Sequence, residues 1–389
     1  PAPASPLLFR AALPLSLSSC SFSEPHTALR CADRVPIIVG VGRVVKGPAQ
    51  GFAKGVGTTP CAIAAEAAAE AAEDSGAGEA VLKRVTAVGM PMLAADPARA
   101  SNPPWLVQHL LGDVFEAAHH YGGAGSSGQL YVNDYATQIA SGRMSGVALV
   151  VHGEAAHSVK QIDKEAAAKI LEETPEAPSR PDSLRITDMP QINPGEEEQQ
   201  RQEMLHGLNI PNWNYAIYEC AIAAKNGETI EEHRDVTGKV FSDFSKVAAN
   251  DPISSKYAWF PEERGIDDVV REVDGNGNRM IAGPYFARNC CAFNGVDMGA
   301  AALVTSVGEA RDLGISEDKW VYVHGVASTQ DMQLQCSRAS YSESIQHRVG
   351  FREAFKQAQL HNGPGDIDHF EIYSPYPCMP QLVAPALNL

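Results

Sequence analysis

Residues 117–154 read AAHHYGGAGSSGQLYVNDYATQIASGRMSGVALVVHGE. Ala117–Tyr121 is a short strand candidate, and the glycine- and serine-rich run 122–128 is a turn. The stretch from about Gln129 to Ser141 has helical character, and Gly146–His152 is an apolar, β-branched run that suits a buried strand. A strand, a tight turn opening a helix, and a second strand make a βαβ unit with parallel strands.

The same grammar continues outward. Val35–Gly42 (VPIIVGVG) and Val85–Met92 predict further strands. Thr59–Ser75 predicts a helix, with Thr59 as cap, Pro60 in the first turn and Gly76 as stop. Pro104–Leu111 predicts a short helix ended by Gly112. From about 155 to 280 the regularity breaks into charged, proline-rich sequence, including Glu196–Glu198 as a solvated face and Pro190 and Pro194. This stretch is expected to be an inserted, partly helical subdomain with helices near Ile217–Asn226 and His233–Ala249. Strand and helix patterns return at Met298–Ser306, Glu309–Leu313, Trp320–Val326, Val349–Leu360, His369–Tyr373 and Met379–Leu389. The sheet is expected to be mainly parallel.

The net charge of −16 argues against a general nucleic-acid partner, which needs a basic face to displace counterions. An anion can still sit at a helix N-terminus on an acidic protein. No run reaches the length of a bilayer span. Eight cysteines without CxxC or Cys/His ligand spacing give no metal site and suit a reducing compartment, mostly as buried small hydrophobes. Residues 1–34, rich in Ser, Ala, Leu, Pro and Arg, form an N-terminal extension. Its composition is that of a transit segment for a mitochondrion or other organelle, or of a plain extension. Asp274–Asn278 lacks the later Glu of a calcium loop and predicts a tight turn. Gly40 and Gly42 do not open a helix, which argues against a dinucleotide loop. His324, in an apolar run, is expected to be a hydrogen-bonded core residue.

Three segments together resemble the thiolase superfamily. The glycine-serine turn is followed by Ile139-Ala-Ser-Gly142 and by a strand ending His152-Gly-Glu154. Asn294-Gly-Val-Asp-Met-Gly-Ala-Ala-Ala302 is similar to the family's "N-x-G-x-N-D-G-A-A-A" run, and Asp366-Ile-Asp-His-Phe-Glu-Ile372 to its "D-I-D-x-x-E-I-N-E-A-F" run. Phe244–Asn250, Asn278-Arg279 and Pro284-Tyr285 look like the divergent, acetyl-CoA acetyltransferase-like branch. The resemblance implies an α/β fold of duplicated βαβαβαββ halves in five α-β-α-β-α layers. It divides the chain into an N-terminal half (35–154 and 281–318), the inserted loop subdomain (155–280) and a C-terminal half (319–389). It further implies an active site between the halves, a homodimer or larger assembly, and an acyl-CoA thioester as substrate or ligand, with no covalent cofactor.

The chain departs from that pattern at the reacting group. Counting back from Ile139–Gly142, the family's nucleophilic cysteine position falls on Gly125, and no cysteine occurs between residues 62 and 219. Ser126 and Ser127 stand beside it. A serine hydroxyl needs a general base to become a nucleophile, and His119, His120 and His152 are candidates. The two serines equally suit helix capping, which needs no partner. The turn's amides, with Gly125 and Gly128, could hold a carbonyl oxygen or phosphate. Tyr373 and Ser374 replace the family's "N-E" pair, and Cys378 follows as an expected core residue. The family's final histidine and second cysteine lie beyond the pattern found here, so the C-terminal half is expected to be incomplete. Two functions remain open: C–C bond formation or cleavage, or thioester hydrolysis, on acyl-CoA without a cysteine acyl-enzyme, and a catalytically inactive acyl-CoA binder or structural subunit.

Overall fold

The computed structural model describes residues 32–389 apart from 53–57, 94–95, 124–126, 184–196, 209, 274–275, 278–280, 284 and 333. Most of the 1–34 extension, Gly125, Ser126, Pro190, Pro194, Glu196, Asp274, Asn278, Arg279 and Pro284 therefore lie outside the described residues.

Seven strands form one sheet among the described residues: β1 (Pro36–Val45), β2 (Val85–Met90), β3 (Ala118–Tyr121), β4 (Val147–Ala155), β5 (Asp182–Ser183), β6 (Asp297–Ser306) and β7 (Val321–Tyr322). Their order is β5-β3-β2-β4-β6-β1-β7. β2 runs parallel to β3 and β4, and β3 parallel to β5. The β4–β6, β6–β1 and β1–β7 pairs are antiparallel. The sheet is therefore mixed, not mainly parallel. After β4 the chain re-enters the sheet as β6 at the same end that β4 leaves, with Asp297 opposite Ala155, so β6 runs back between β4 and β1.

Helix α1 (Pro60–Asp74) lies on one face. Thr59 accepts from the Ala62 amide at 3.3 Å and Pro60 occupies the first turn, so the helix begins where its cap chemistry dictates. Its alanines pack on Ile37, Val39, Val88, Leu149, Val151 and Leu303, with Leu106 and Val107 of α2 (Pro103–Leu110) on the same side. Helix α3 (Ser127–Ala140) covers the other face, where Tyr131, Tyr135 and Ile139 meet Ala87, Ala148, Val150 and Val304.

The stretch 155–280 is largely helical among the described residues. Its main pair is α4 (Pro211–Asn226) and α5 (Ile230–Asn250), with shorter helices at 164–173, 197–205 and 266–270. A second core joins Ala216, Tyr218 and Ile222 of α4 to Val269, Val270, Tyr285, Phe286, Tyr376, Cys378 and Leu382.

Residues 319–389, expected as a C-terminal half, contain α6 (Ile345–Gln357) and α7 (Cys378–Ala386). Of two strand expectations there, one holds in part and one fails. Within Trp320–Val326, Val321–Tyr322 forms β7 at the sheet edge beside β1, and the Val323 amide donates to the Pro36 carbonyl at 3.1 Å. His369–Tyr373 makes no ladder among the described residues. An apolar, alternating run becomes a strand only when a neighbour receives its backbone hydrogen bonds. His324 is exposed, tilted toward the Tyr322 ring at 6.1 Å, and is not a core residue. Cys61, Cys290 and Cys378 are buried as expected, whereas Cys220 and Cys336 are exposed.

Candidate functional site

The sheet's two-residue period decides which side chains meet α3. Along β4, Val147, Leu149 and Val151 face α1, while Ala148 and Val150 face α3. Continuing the alternation places His152 and Glu154 on the α3 side. Gly153 between them faces α1, where a Cβ would stand 2.2 Å from the Pro60 carbonyl oxygen. His152 Nε2 lies 3.2 Å from Glu154 Oε1, and His152 Nδ1 has no hydrogen-bond partner among the described residues. The carboxylate thus orients the ring and leaves the second nitrogen unengaged.

The turn ahead of α3 runs close to the same sheet end. Gly122 and Gly123 adopt φ of +144° and +84°, and the Gly122 amide donates to the Met90 carbonyl at 3.2 Å. Ser127 opens the helix and is 1% exposed, which makes it part of the packing. Gly128 faces open space, since a Cβ there would meet nothing within 4 Å. The side of α3 at Gly128 is therefore open. Gly125 and Ser126 fall outside the described residues.

The other two candidate histidines diverge. His120 Nδ1 lies 2.8 Å from the Tyr135 hydroxyl, on the α3 face. His119 faces α2, with Nε2 2.9 Å from Gln108 Oε1 and Nδ1 3.3 Å from Asn102 Nδ2. Burial lowers the pKa of His119, and His120 adds to the effect, so the ring stays neutral as a structural partner.

Helix α3 also touches the second half. Asn133 donates to the Ala327 carbonyl at 3.1 Å and to Ser328 Oγ at 3.3 Å. Tyr373 and Ser374 sit elsewhere in that half. Tyr373 is 57% exposed, and Ser374 Oγ donates to the Ile372 carbonyl at 2.7 Å. No hydrogen bond, ion pair or ring contact among the described residues joins either of them to Ser127 or His152. Tyr376 is the buried member of this segment. It stacks on Tyr215 at 4.2 Å and 17° and bonds to Asn212. Cys378 is fully buried, and burial pushes its thiol far up, so it is no nucleophile.

A cavity of about 380 Å³ lies between α4, residues 331–347 and α7. Tyr215, Tyr218, Arg338, His347, Met379 and Leu382 form its walls. Arg338 donates to the Met332 carbonyl at 3.0 Å and to the Tyr218 hydroxyl. His347 Nδ1 is 2.5 Å from Ser344 Oγ, and burial lowers its pKa. The sequence offered no signal for this set, because its members are scattered over three segments without common spacing.

The chain carries a thiolase-like α/β fold. Among solved structures it is similar to a monomeric SCP2-thiolase-like protein type 1 from Mycobacterium smegmatis. That match has 26% identity and a TM-score of 0.62, and covers 92% of this chain and 64% of that one. The chain thus spans under two thirds of the length of that protein. The fold is shared with the Ltp2-ChsH2(DUF35) aldolase, at 18% identity, TM-score 0.59, and coverage of 92% and 77%. It is shared too with human mitochondrial 3-ketoacyl-CoA thiolase in complex with CoA, at 14% identity, TM-score 0.53, and coverage of 92% and 84%. No family model and no curated protein matches the chain. Among the described residues, no helix is long and apolar enough to cross a membrane.

Proposed function

We propose that this protein binds an acyl-CoA and makes or breaks a C–C bond in its acyl group without a cysteine acyl-enzyme. One observation carries the reading. No cysteine exists between residues 62 and 219, where the resemblance would set the nucleophile, while the alternation along β4 puts the bonded pair His152 and Glu154 on the α3 side. Backbone amides of Gly125–Gly128 would hold the thioester carbonyl oxygen as negative charge develops on it. His152, oriented by Glu154, would take up or return the proton at the neighbouring carbon. Addition of that carbon to a second carbonyl, or the reverse, balances without acyl transfer to the protein. Ser126 and Ser127 would shape the amide cradle, and Tyr373 and Ser374 would approach from the second half. A CoA-bound thiolase and an aldolase among the similar folds support both the ligand and the class of chemistry.

The test combines calorimetric titration of CoA and acetyl-CoA with assays on acetoacetyl-CoA and a 3-hydroxyacyl-CoA, following release of product thioester. Turnover that falls at least tenfold in His152→Ala, with binding kept, is the expected result. Loss of turnover in Ser126→Ala/Ser127→Ala, with a trapped acyl-serine, would replace this mechanism by a serine acyl-enzyme. The burial of Ser127 favours a second reading, a catalytically inactive acyl-CoA binder, which binding without turnover would establish. Assembly with a second copy or another chain fits both readings, and the DUF35 component of the aldolase supports it; sedimentation of the purified protein checks it.

A further inference from the structure

The loop subdomain contains a buried chain of ionisable groups that the proposed chemistry does not use. His233, at the start of α5, and Glu219, in the middle of α4, are both fully buried. His233 Nε2 lies 2.8 Å from Glu219 Oε2, and His233 Nδ1 lies 2.6 Å from Glu228 Oε2 in the turn between the helices. Gln381 of α7 donates to the same Glu219 oxygen at 3.3 Å and to the Pro377 carbonyl at 3.1 Å. Four segments meet here, and one of them carries Tyr373–Pro377.

Proton counting constrains this arrangement. A carboxylate only accepts, and a neutral imidazole has one N–H. Two hydrogen bonds from one ring to two carboxylates therefore require one proton more than a neutral histidine brings. That proton sits on the ring or on a carboxyl, and the pair shares it. In the opened chain, above about pH 6.5, the histidine is neutral and both carboxylates are charged.

We propose that Glu219, His233 and Glu228 form a proton-dependent clasp, which closes with uptake of one proton and, through Gln381, seats Pro377 and α7 against α4 and α5.

The surrounding groups leave the clasp as the titrating element near neutrality. Cys220 on α4, Tyr285 and Cys290 on the segment before β6, and Cys378 on α7 all have pKa values raised by burial, so they stay neutral. The Arg234 guanidinium on α5 lies over the Tyr285 ring at 5.0 Å. Within the clasp, burial raises the pKa of Glu219. Burial pulls His233 down, but its bonds to Glu219 and Glu228 outweigh this and the net shift is upward. Groups raised on closing stabilise the closed form fully below their ordinary values, and that stability is lost as pH rises through the raised ones. The clasp therefore loosens toward alkaline pH.

Hydrogen exchange of the full chain between pH 6.5 and 9, corrected for the intrinsic rate, tests this. Protection of amides in 378–386 should fall by up to tenfold per pH unit, the limit for one proton, while amides of 127–140 keep theirs. Glu219→Gln should flatten the dependence, because a glutamine N–H can donate to the bare Nε2 of a neutral ring. Glu228→Gln, at the partly exposed end, should do the same at Nδ1. Flat protection in the unmodified protein, or an unchanged slope in both variants, overturns the proposal. The outcome is independent of whether acyl-CoA binds.

Discussion

At Gly42 a Cβ would stand 1.9 Å from the Ala67 carbonyl oxygen and 2.7 Å from the Ala71 amide nitrogen. Gly40 and Gly153 meet the α1 backbone in the same way, at 2.1 and 2.2 Å, and at Gly299 a Cβ would stand 2.6 Å from Ile63 Cγ2 and 2.9 Å from the Ile63 carbonyl oxygen. The sheet and α1 therefore touch backbone to backbone along three strands, β1, β4 and β6. A methyl group at Gly42 has only backbone to displace. Gly42→Ala should cost about 1–3 kcal/mol, as overpacking does, seen as a lower urea midpoint with an unchanged slope. In sequence Gly40-Val-Gly42 invited a comparison with a dinucleotide loop. Nothing local distinguishes a glycine needed for a turn from one needed for close approach, because the second requirement comes from a helix some 25 residues away. His152 was more legible, since the alternation of its own strand places it on the α3 face. The pairing of His233 with Glu219 was not, because it joins two helices whose relative rotation no local pattern states.

Elements with their own end signals were the readable ones. Thr59 and Pro60 begin α1, and Gly76, at φ +77°, follows its end. Helix α5 carries such a signal too and begins at Ile230, three residues ahead of the His233 expected from sequence: the Glu232 amide donates to Thr229 Oγ1 at 3.2 Å, and the Thr229 amide donates to Glu232 Oε2 at 2.8 Å. Thr229→Ala should therefore destabilise the subdomain by about 1 kcal/mol, measured as a shift in thermal midpoint. Thr229→Ser, which keeps the hydroxyl, should not. Strand predictions fared according to neighbours. β4 and β6 pair from Ala148–Val304 to Ala155–Asp297 and appear where their apolar runs lie. The run His369–Tyr373 has a comparable pattern but no ladder among the described residues. Its Phe370 and Tyr373 are 37% and 57% exposed. A strand's identity is a property of the pair, so the sequence of one member cannot settle it.

Over the whole molecule, these differences imply a gradient of local stability. β4 lies between β2 and β6, and β6 between β4 and β1, so both central strands are paired on each side. Their side chains are covered by α1 on one face and α3 on the other. Opening them requires breaking two ladders and two apolar interfaces together, which approaches global unfolding. Residues 321–322 have one short ladder to β1, with Val321 and Tyr322 61% and 45% exposed, and residues 367–373 have no ladder among the described residues. Local opening there releases little buried area, so its free energy is a small fraction of the whole. Hydrogen exchange at one pH should thus rank β4 and β6 slowest, α4 and α5 intermediate, and 321–326 and 367–373 fastest, by at least about a hundredfold between the extremes. If acyl-CoA seats Tyr373 and Ser374 toward the first turn of α3, adding it should slow exchange in 367–378 selectively. Equal slowing everywhere would mean global stabilisation by binding remote from that segment, and would remove Tyr373 and Ser374 from the site.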